Sequence, residues 1–136
     1  MPHQCRACLV YCIDFRFHAA LEAFLHDQKL DRDGTDIVQV AGAAKSLAHL
    51  GEGVGGSFLL EQIQISQRLH GVRQIYLVNH EDCGAYGLED VVDSEEELAT
   101  HRKDLRAARA VLEEHFPAAE ILTYFMHLDG KPERID

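Results

Sequence analysis

With 136 residues, 46% of them hydrophobic and 26% charged, the chain has the size and make-up of a globular domain that buries its own core, which excludes a disordered segment or a disulfide-dependent miniprotein. Thirteen Lys plus Arg against 23 Asp plus Glu give a net charge of -10 with no basic cluster, so nucleic acid is not an expected partner. No apolar run approaches the roughly 20 residues of a membrane span, and MPHQCRACLVYC lacks a charged leader followed by a long apolar stretch; a single soluble, cytoplasmic domain spanning 1–136 is expected.

Ala7 to Ile13 is a short apolar run with β-branched and aromatic members, which predicts a buried strand ending near Cys12. Phe17, Leu21, Phe24 and Leu25 then fall on one helical face up to about Lys29, and Asp31-Arg32-Asp33-Gly34 reads as a loop. Asp36 to Val40 is a second strand, followed by Ala41-Gly42-Ala43-Ala44, small residues that permit close backbone approach. Ser57 is a plausible N-cap for a helix to about His70, with Gly71 as its left-handed stop, and Gln74 to Val78 is the third strand.

Ser94 and Glu97 have capping-box spacing at the start of a helix whose Leu98, Leu105 and Leu112 share a face until Pro117 ends it after Phe116. Glu120 to His127 reads as a fourth strand, and Asp129-Gly130 as a hairpin turn returning Lys131 to Ile135 as an antiparallel edge. The alternation predicts an α/β fold with a central, mostly parallel sheet flanked by helices, whose sites gather beyond the carboxyl ends of the strands.

That rule selects Cys12 and His80, each just past a predicted strand end. Four cysteines, Cys5, Cys8, Cys12 and Cys83, are too few and too uneven for a secreted disulfide framework, so reduced thiols or metal ligands are expected. Cys12, His80 and Cys83 offer two thiolates and an imidazole, a set that suits tetrahedral zinc with one position left open for water. In Cys12-Ile13-Asp14-Phe15-Arg16, extended geometry would put the three charged or ligating residues on one side. Asp14 would then accept a hydrogen bond from zinc-bound hydroxide while Arg16 fixes its carboxylate.

Cys-x-Asp-x-Arg at one strand end and His-x-x-Cys-Gly at another resemble the β-class carbonic anhydrases, and the order of elements is similar over nearly the whole chain. The resemblance implies zinc on Cys12, His80 and Cys83, and a dyad of Asp14 and Arg16 that orients hydroxide for attack on carbon dioxide, giving bicarbonate reversibly. It also implies a closed state with Asp14 in the fourth zinc position, and a homodimer or higher homo-oligomer; two thiolates would neutralise the zinc charge and acidify its water less, so hydration is expected to be favoured at alkaline pH. Three departures stand beside it. Gln39-Val40-Ala41-Gly42-Ala43 replaces the family's Arg-Asn-Ala-Gly-Asn, only eleven residues precede Cys12 where members carry a helical arm, and Phe15 and Phe17 are bulky. The phenylalanines suggest an alternative, hydrolysis of carbonyl sulfide or carbon disulfide; the lost Arg and Asn suggest another, a non-catalytic zinc protein of the same fold.

Other features have plainer readings. Cys8 is a small buried hydrophobe, and Cys5-x-x-Cys8 is a weak redox or metal signal because it precedes a strand. Gly51-Glu52-Gly53-Val54-Gly55-Gly56 contains Gly-x-Gly-x-x-Gly in the wrong context for a dinucleotide and reads as a flexible loop. His18, His26, His70, His101 and His115 lie in or at the ends of predicted helices, where exposure is ordinary, and His49 is the least implausible proton shuttle. Glu95, Glu96 and Glu97 are read as stabilising a helix N-terminus only.

Overall fold

The computed structural model describes residues 3–87 and 93–136. Its elements in chain order are β1 (Ala7–Tyr11), α1 (His18–Asp27), α2 (Leu30–Asp33), β2 (Thr35–Gln39), α3 (Lys45–Ala48), α4 (Gly55–His70), β3 (Gln74–His80), α5 (Ser94–His115), β4 (Glu120–Met126) and β5 (Pro132–Ile135). The sheet runs β2-β1-β3-β4-β5, parallel from β2 to β4, with β5 antiparallel on β4. This is the expected mostly parallel α/β sheet with one antiparallel edge.

Strand alternation sorts the core into two layers. Cys8, Val10, Ile75, Leu77, Ile121 and Phe125 pack with residues of α3, α4 and α5, while Leu9, Tyr11, Tyr76, Val78, Leu122 and Tyr124 pack with Phe17, Leu21, Phe24 and Leu30. Asn79 and His80, adjacent at the end of β3, therefore face opposite layers, a separation that shapes the site. Cys8 is the fully buried small hydrophobe its place in β1 predicts.

Four local expectations need correction. Asp31 to Asp33 is not loop: Lys29 takes a left-handed conformation (φ 61) that ends α1, and the chain restarts as α2 to bury Leu30. Ser57 does not cap α4, which begins at Gly55 after Val54; the Ser57 hydroxyl instead donates back to the Val54 carbonyl at 3.0 Å. The last two glycines of the Gly-rich stretch thus form a helix start rather than a flexible loop. A Cβ on Gly56 would lie 2.5 Å from the Ser46 carbonyl oxygen, so glycine lets α4 close on α3, a helix the sequence reading did not anticipate. Ser94 does not cap α5 either; Asp93 does, accepting from the Glu95 N–H at 2.9 Å, and Glu97 is free to turn elsewhere. Gly71 stops α4 at φ 65, and α5 ends at His115 before Pro117, both as expected.

Candidate metal centre

Two strands and one turn build the site. Cys12 follows the end of β1, and His80 is the last residue of β3, paired with Met126, rather than lying past the strand as predicted. Beyond it, Asp82 adopts φ 58, a left-handed conformation Asp tolerates, and this reverses the chain so that Cys83 returns beside His80. Gly84 has no such role: it opens a short 3-10 turn, Gly84–Tyr86. Cys12, His80 and Cys83 are all buried, and their sulfurs and a ring nitrogen lie within 4.8 Å of one another.

The Cys12 and Cys83 sulfurs are 3.9 Å apart, and both cysteines are free. Two thiolates on one tetrahedral zinc, with bonds of about 2.3 Å, sit about 3.8 Å apart, so this separation fits a shared ion and is far beyond a disulfide. The His80 ring agrees. Its Nδ1 donates to the Glu81 carbonyl at 2.7 Å, which leaves Nε2 as the lone-pair nitrogen, buried and, among the described residues, without a hydrogen-bond partner. A buried acceptor with nothing to accept is costly, and a metal ion at that position would remove the cost.

Protonation of the pair points the same way. Hydrogen bonding from the Cys83 thiol holds Cys12 well below the ordinary thiol range against the opposing effect of burial, helped by His80 and the Gly42 N–H, which lies 3.4 Å from the Cys12 sulfur. The same contact, together with burial, pushes Cys83 up. Burial alone would lower His80, but its interactions with Cys12 and with the Glu81 carbonyl outweigh that and raise it. One thiol thus ionises at the other's expense, and a nearby cation is what would allow both to do so.

Asp14 and Arg16 come together, although not by extended alternation. Asp14 caps a 3-10 turn, Phe15–Phe17, by accepting from the Arg16 N–H at 2.9 Å, and the turn swings the guanidinium back over the carboxylate. Arg16 Nε lies 3.1 Å from Asp14 Oδ1 and Nη2 2.7 Å from Oδ2, a bidentate pair. That pairing lowers the Asp14 carboxyl to about 2, so it is an acceptor only at any working pH. Asp14 Oδ2 is 3.8 Å from His80 Nε2, which puts the dyad at the edge of the cluster.

The remaining cavity wall is apolar. A cavity of about 460 Å³ is lined by Cys12, Ile13, Asp14, Phe15, Arg16, Ala41, Cys83, Gly84 and Ala85. Phe15 is on that wall and 79% exposed, whereas Phe17 is buried with its ring 4.3 Å from that of His80, outside the lining. Of the two phenylalanines expected to narrow the pocket, Phe15 alone faces it. The small residues after β2 do meet close neighbours: Gly42, at φ 79, would press a Cβ to 3.3 Å from that of Ala85.

Sequence reasoning missed a second ring of residues. Asp82 accepts from Arg16 Nη1 at 2.9 Å and its carbonyl from Nη2 at 2.8 Å, so it steadies the dyad's arginine. Glu97, 8% exposed, accepts from the Asp82 N–H at 3.2 Å, so it does more than favour the start of α5. Asn79 accepts from the Ala44 N–H at 3.0 Å and donates at 2.9 Å each to the Tyr86 hydroxyl and to His101 Nδ1. His101 is fully buried rather than exposed, and His70 is half-buried; His18, His26 and His115 are exposed as read. His49, the shuttle candidate, pairs with Asp104 at 3.3 Å and Glu52 at 3.6 Å, on the α5 side of the sheet.

Burial holds His101 down at about 4 against an unfolded value near 6.5. Above pH 6.5 neither state carries the proton and the native state has its full stability from this group. As pH falls from 6.5 through 4, the unfolded chain takes up a proton that the folded chain refuses, and about 3 kcal/mol is lost. Urea unfolding of the wild type between pH 7 and 4 is expected to show that extra loss relative to His101→Gln; parallel curves would contradict it.

The fold and this cluster define a class: a mostly parallel α/β protein with a Cys, His, Cys cluster at its strand ends, beside an Asp–Arg pair. Solved structures sharing the fold include one of the tetrameric β-carbonic anhydrases of the ascomycete Sordaria macrospora, with a TM-score of 0.65 and 12% identity over 97% of this chain and 81% of that one. A β-carbonic anhydrase of Aspergillus fumigatus matches with a TM-score of 0.53 and 13% identity over 100% of this chain and 91% of that one. At such identities the likeness is one of fold. Residues 2–136 match the family described as "Putative carbonic anhydrase", and the chain belongs to that family as a divergent β-carbonic-anhydrase-like protein. An uncharacterized protein of Rickettsia conorii is 34% identical over 131 residues, covering 93% of this chain and 70% of its own. One from Rickettsia bellii is 32% identical over 131 residues, covering 93% and 79%.

Proposed function

We propose that the chain interconverts carbon dioxide and bicarbonate, with zinc held by Cys12, His80 and Cys83. The observation that carries this reading is the buried cluster with an orphaned His80 Nε2, set against a bidentate Asp14–Arg16 pair on one apolar-walled cavity. Zinc bound there supplies Lewis acidity, which makes water a nucleophile near neutral pH. Asp14, ionised and acceptor-only, selects an oxygen that carries a proton and turns its lone pair toward the cavity. Arg16 holds that carboxylate in place, Asp82 holds Arg16, and the apolar Ile13, Phe15 and Ala41 receive an uncharged linear substrate better than an ionic one.

The exposed apolar residues Ile13, Phe15, Val54 and Phe58 are 60%, 79%, 81% and 55% accessible, and they support assembly as a homo-oligomer. Zinc analysis of protein purified without chelators, with stopped-flow hydration at about pH 8 to 9, tests the reading. Stoichiometric zinc with turnover is the expected result; zinc-loaded protein without turnover would overturn it.

The dyad has its own signature. Arg16→Leu is expected to lower kcat/KM for hydration by about 10- to 100-fold with zinc content unchanged, because an orienting partner is lost and no ligand is. Equal rates for the two proteins would remove Arg16 from the mechanism.

A further inference from the structure

A second set of mixed ligands lies at the opposite end of the sheet. Cys5 precedes β1, Asp36 is the second residue of β2, and His70 ends α4. The Cys5 sulfur, an Asp36 carboxylate oxygen and a His70 ring nitrogen all lie within 4.8 Å of one another. Backbone pairing puts them there: the Cys5 N–H donates to the His70 carbonyl at 3.1 Å, and Cys8 stands opposite Asp36 in the β1–β2 ladder. We propose that Cys5, Asp36 and His70 form a second zinc site, independent of the one at Cys12, His80 and Cys83.

The donor set suits the ion. One thiolate and one carboxylate neutralise a divalent cation, and thiolate, imidazole and carboxylate together are the ligand types zinc takes in a tetrahedron. All three residues are half-buried, so the site is partly desolvated yet open to an entering ion. His70 Nδ1 lies 2.7 Å from Asp36 Oδ2, not far below the separation of about 3.3 Å expected for two ligands on one zinc. Zinc bound there would replace this hydrogen bond, the imidazole nitrogen giving up its proton to become a ligand.

The surroundings fit as well. Ser66 donates to Asp36 Oδ2 at 2.6 Å, the kind of outer hydrogen bond that orients a ligating carboxylate. Arg6, which lines the same cleft as Cys5, is engaged by Asp33 at 2.7 Å and by the Gln28 carbonyl at 2.6 Å. The exposed His3 packs on His70 with ring centroids 5.2 Å apart, so a further imidazole borders the cluster. Cys8 lies outside this cluster, packed among the apolar residues of the core. The pairing suggested by Cys5-x-x-Cys8 is therefore replaced by one that only the fold assembles.

Without metal the same residues clasp α4 to β2 by hydrogen bonds, and a zinc titration separates the two roles. Metal-free full-length protein is dialysed to equilibrium against zinc sulfate, as wild type, Cys5→Ser, His70→Gln and Cys83→Ser. The wild type is expected to take up two equivalents. Cys5→Ser and His70→Gln should each weaken one of them by at least about 100-fold and keep the other, while Cys83→Ser should retain one equivalent that still raises its Tm. A wild type that saturates at one equivalent, removed only by Cys83→Ser, overturns the proposal. So does a second equivalent that survives in both Cys5→Ser and His70→Gln. A single equivalent removed by Cys5→Ser and not by Cys83→Ser upholds this site and sinks the hydration reading instead. Circular dichroism checks folding; Cys5→Ser leaves the His70–Asp36–Ser66 bonds in place and decides the matter if His70→Gln does not fold.

Discussion

Cys83→Ser is expected to release zinc from the strand-end site and to lower carbon dioxide hydration by about 1000-fold. Apparent binding free energies of zinc in protein sites run to about 10–16 kcal/mol, and a protein ligand that carries a quarter to a third of that is worth about 3–4 kcal/mol, or 100- to 1000-fold in affinity. Here the loss falls at the upper end, because serine at neutral pH is an uncharged alcohol and the remaining Cys12 thiolate alone does not balance a divalent ion. Metal analysis after dialysis and stopped-flow hydration measure the two effects together. Full zinc retention at a site that still depends on Cys12 and His80 would show that Cys83 is packing and not a ligand.

The parts of this site that were legible in the sequence are those whose spacing is local. His80 and Cys83 are three apart, so one turn brings them together, and Cys12, Asp14 and Arg16 lie within five residues. Even there the reason was mistaken for Arg16. Extended alternation and a 3-10 turn both deliver its guanidinium to Asp14, and the sequence does not distinguish them until Asp14 is seen accepting from the Arg16 N–H. The mostly parallel sheet and its antiparallel edge followed from periodicity and the Asp129-Gly130 turn, because a buried parallel sheet leaves long apolar runs that polar loops interrupt, whereas the order β2-β1-β3-β4-β5 is set by tertiary pairing that periodicity does not carry.

The supporting ring was not legible because its pairs span the sheet. Asn79 meets Ala44 and His101, Asp82 meets Arg16, and Glu97 meets Asp82, contacts between residues up to 66 positions apart. One signal was available for α5. Glu97, His101 and Asp104 fall on the same stripe as Leu105, Ala108 and Leu112, all of them buried, so the helix keeps one continuous inward face whose first half is polar. Polar residues on a buried stripe mark the stretch of α5 that lies against the site, and the apolar ones mark the stretch that lies against ordinary core. Reading only the leucines found the helix and missed what it supports.

Asn79→Ala is expected to destabilise the protein by about 4 kcal/mol and to weaken zinc binding without removing a ligand. Asn79 is 1% exposed, and its one amide group satisfies three partners: the Ala44 N–H, the Tyr86 hydroxyl and His101 Nδ1. Truncation leaves the Ala44 N–H and His101 Nδ1 unpaired in buried surroundings, at about 1–3 kcal/mol apiece before relaxation, releases the hydroxyl of the half-buried Tyr86 and adds a small cavity. The partners belong to the turn after β2, the turn after Cys83 and α5, so these three segments lose their common attachment to β3. His80 is the next residue along the strand and faces the other layer, which means its ring is held by Phe17 and the Glu81 carbonyl and not by the network itself. Cys83, by contrast, sits three residues before Tyr86 on the turn that comes loose. Zinc affinity should therefore fall by about 10- to 100-fold through misplacement of Cys83, the range found when an outer partner of a metal ligand is removed. Urea unfolding of the metal-free protein isolates the stability effect, and zinc titration at low urea isolates the affinity effect. A variant that loses stability but binds zinc as tightly as the wild type would mean that the turn carrying Cys83 is held by its own backbone, through the Asp82 reversal and the bond its N–H donates to Glu97, and owes nothing to Asn79.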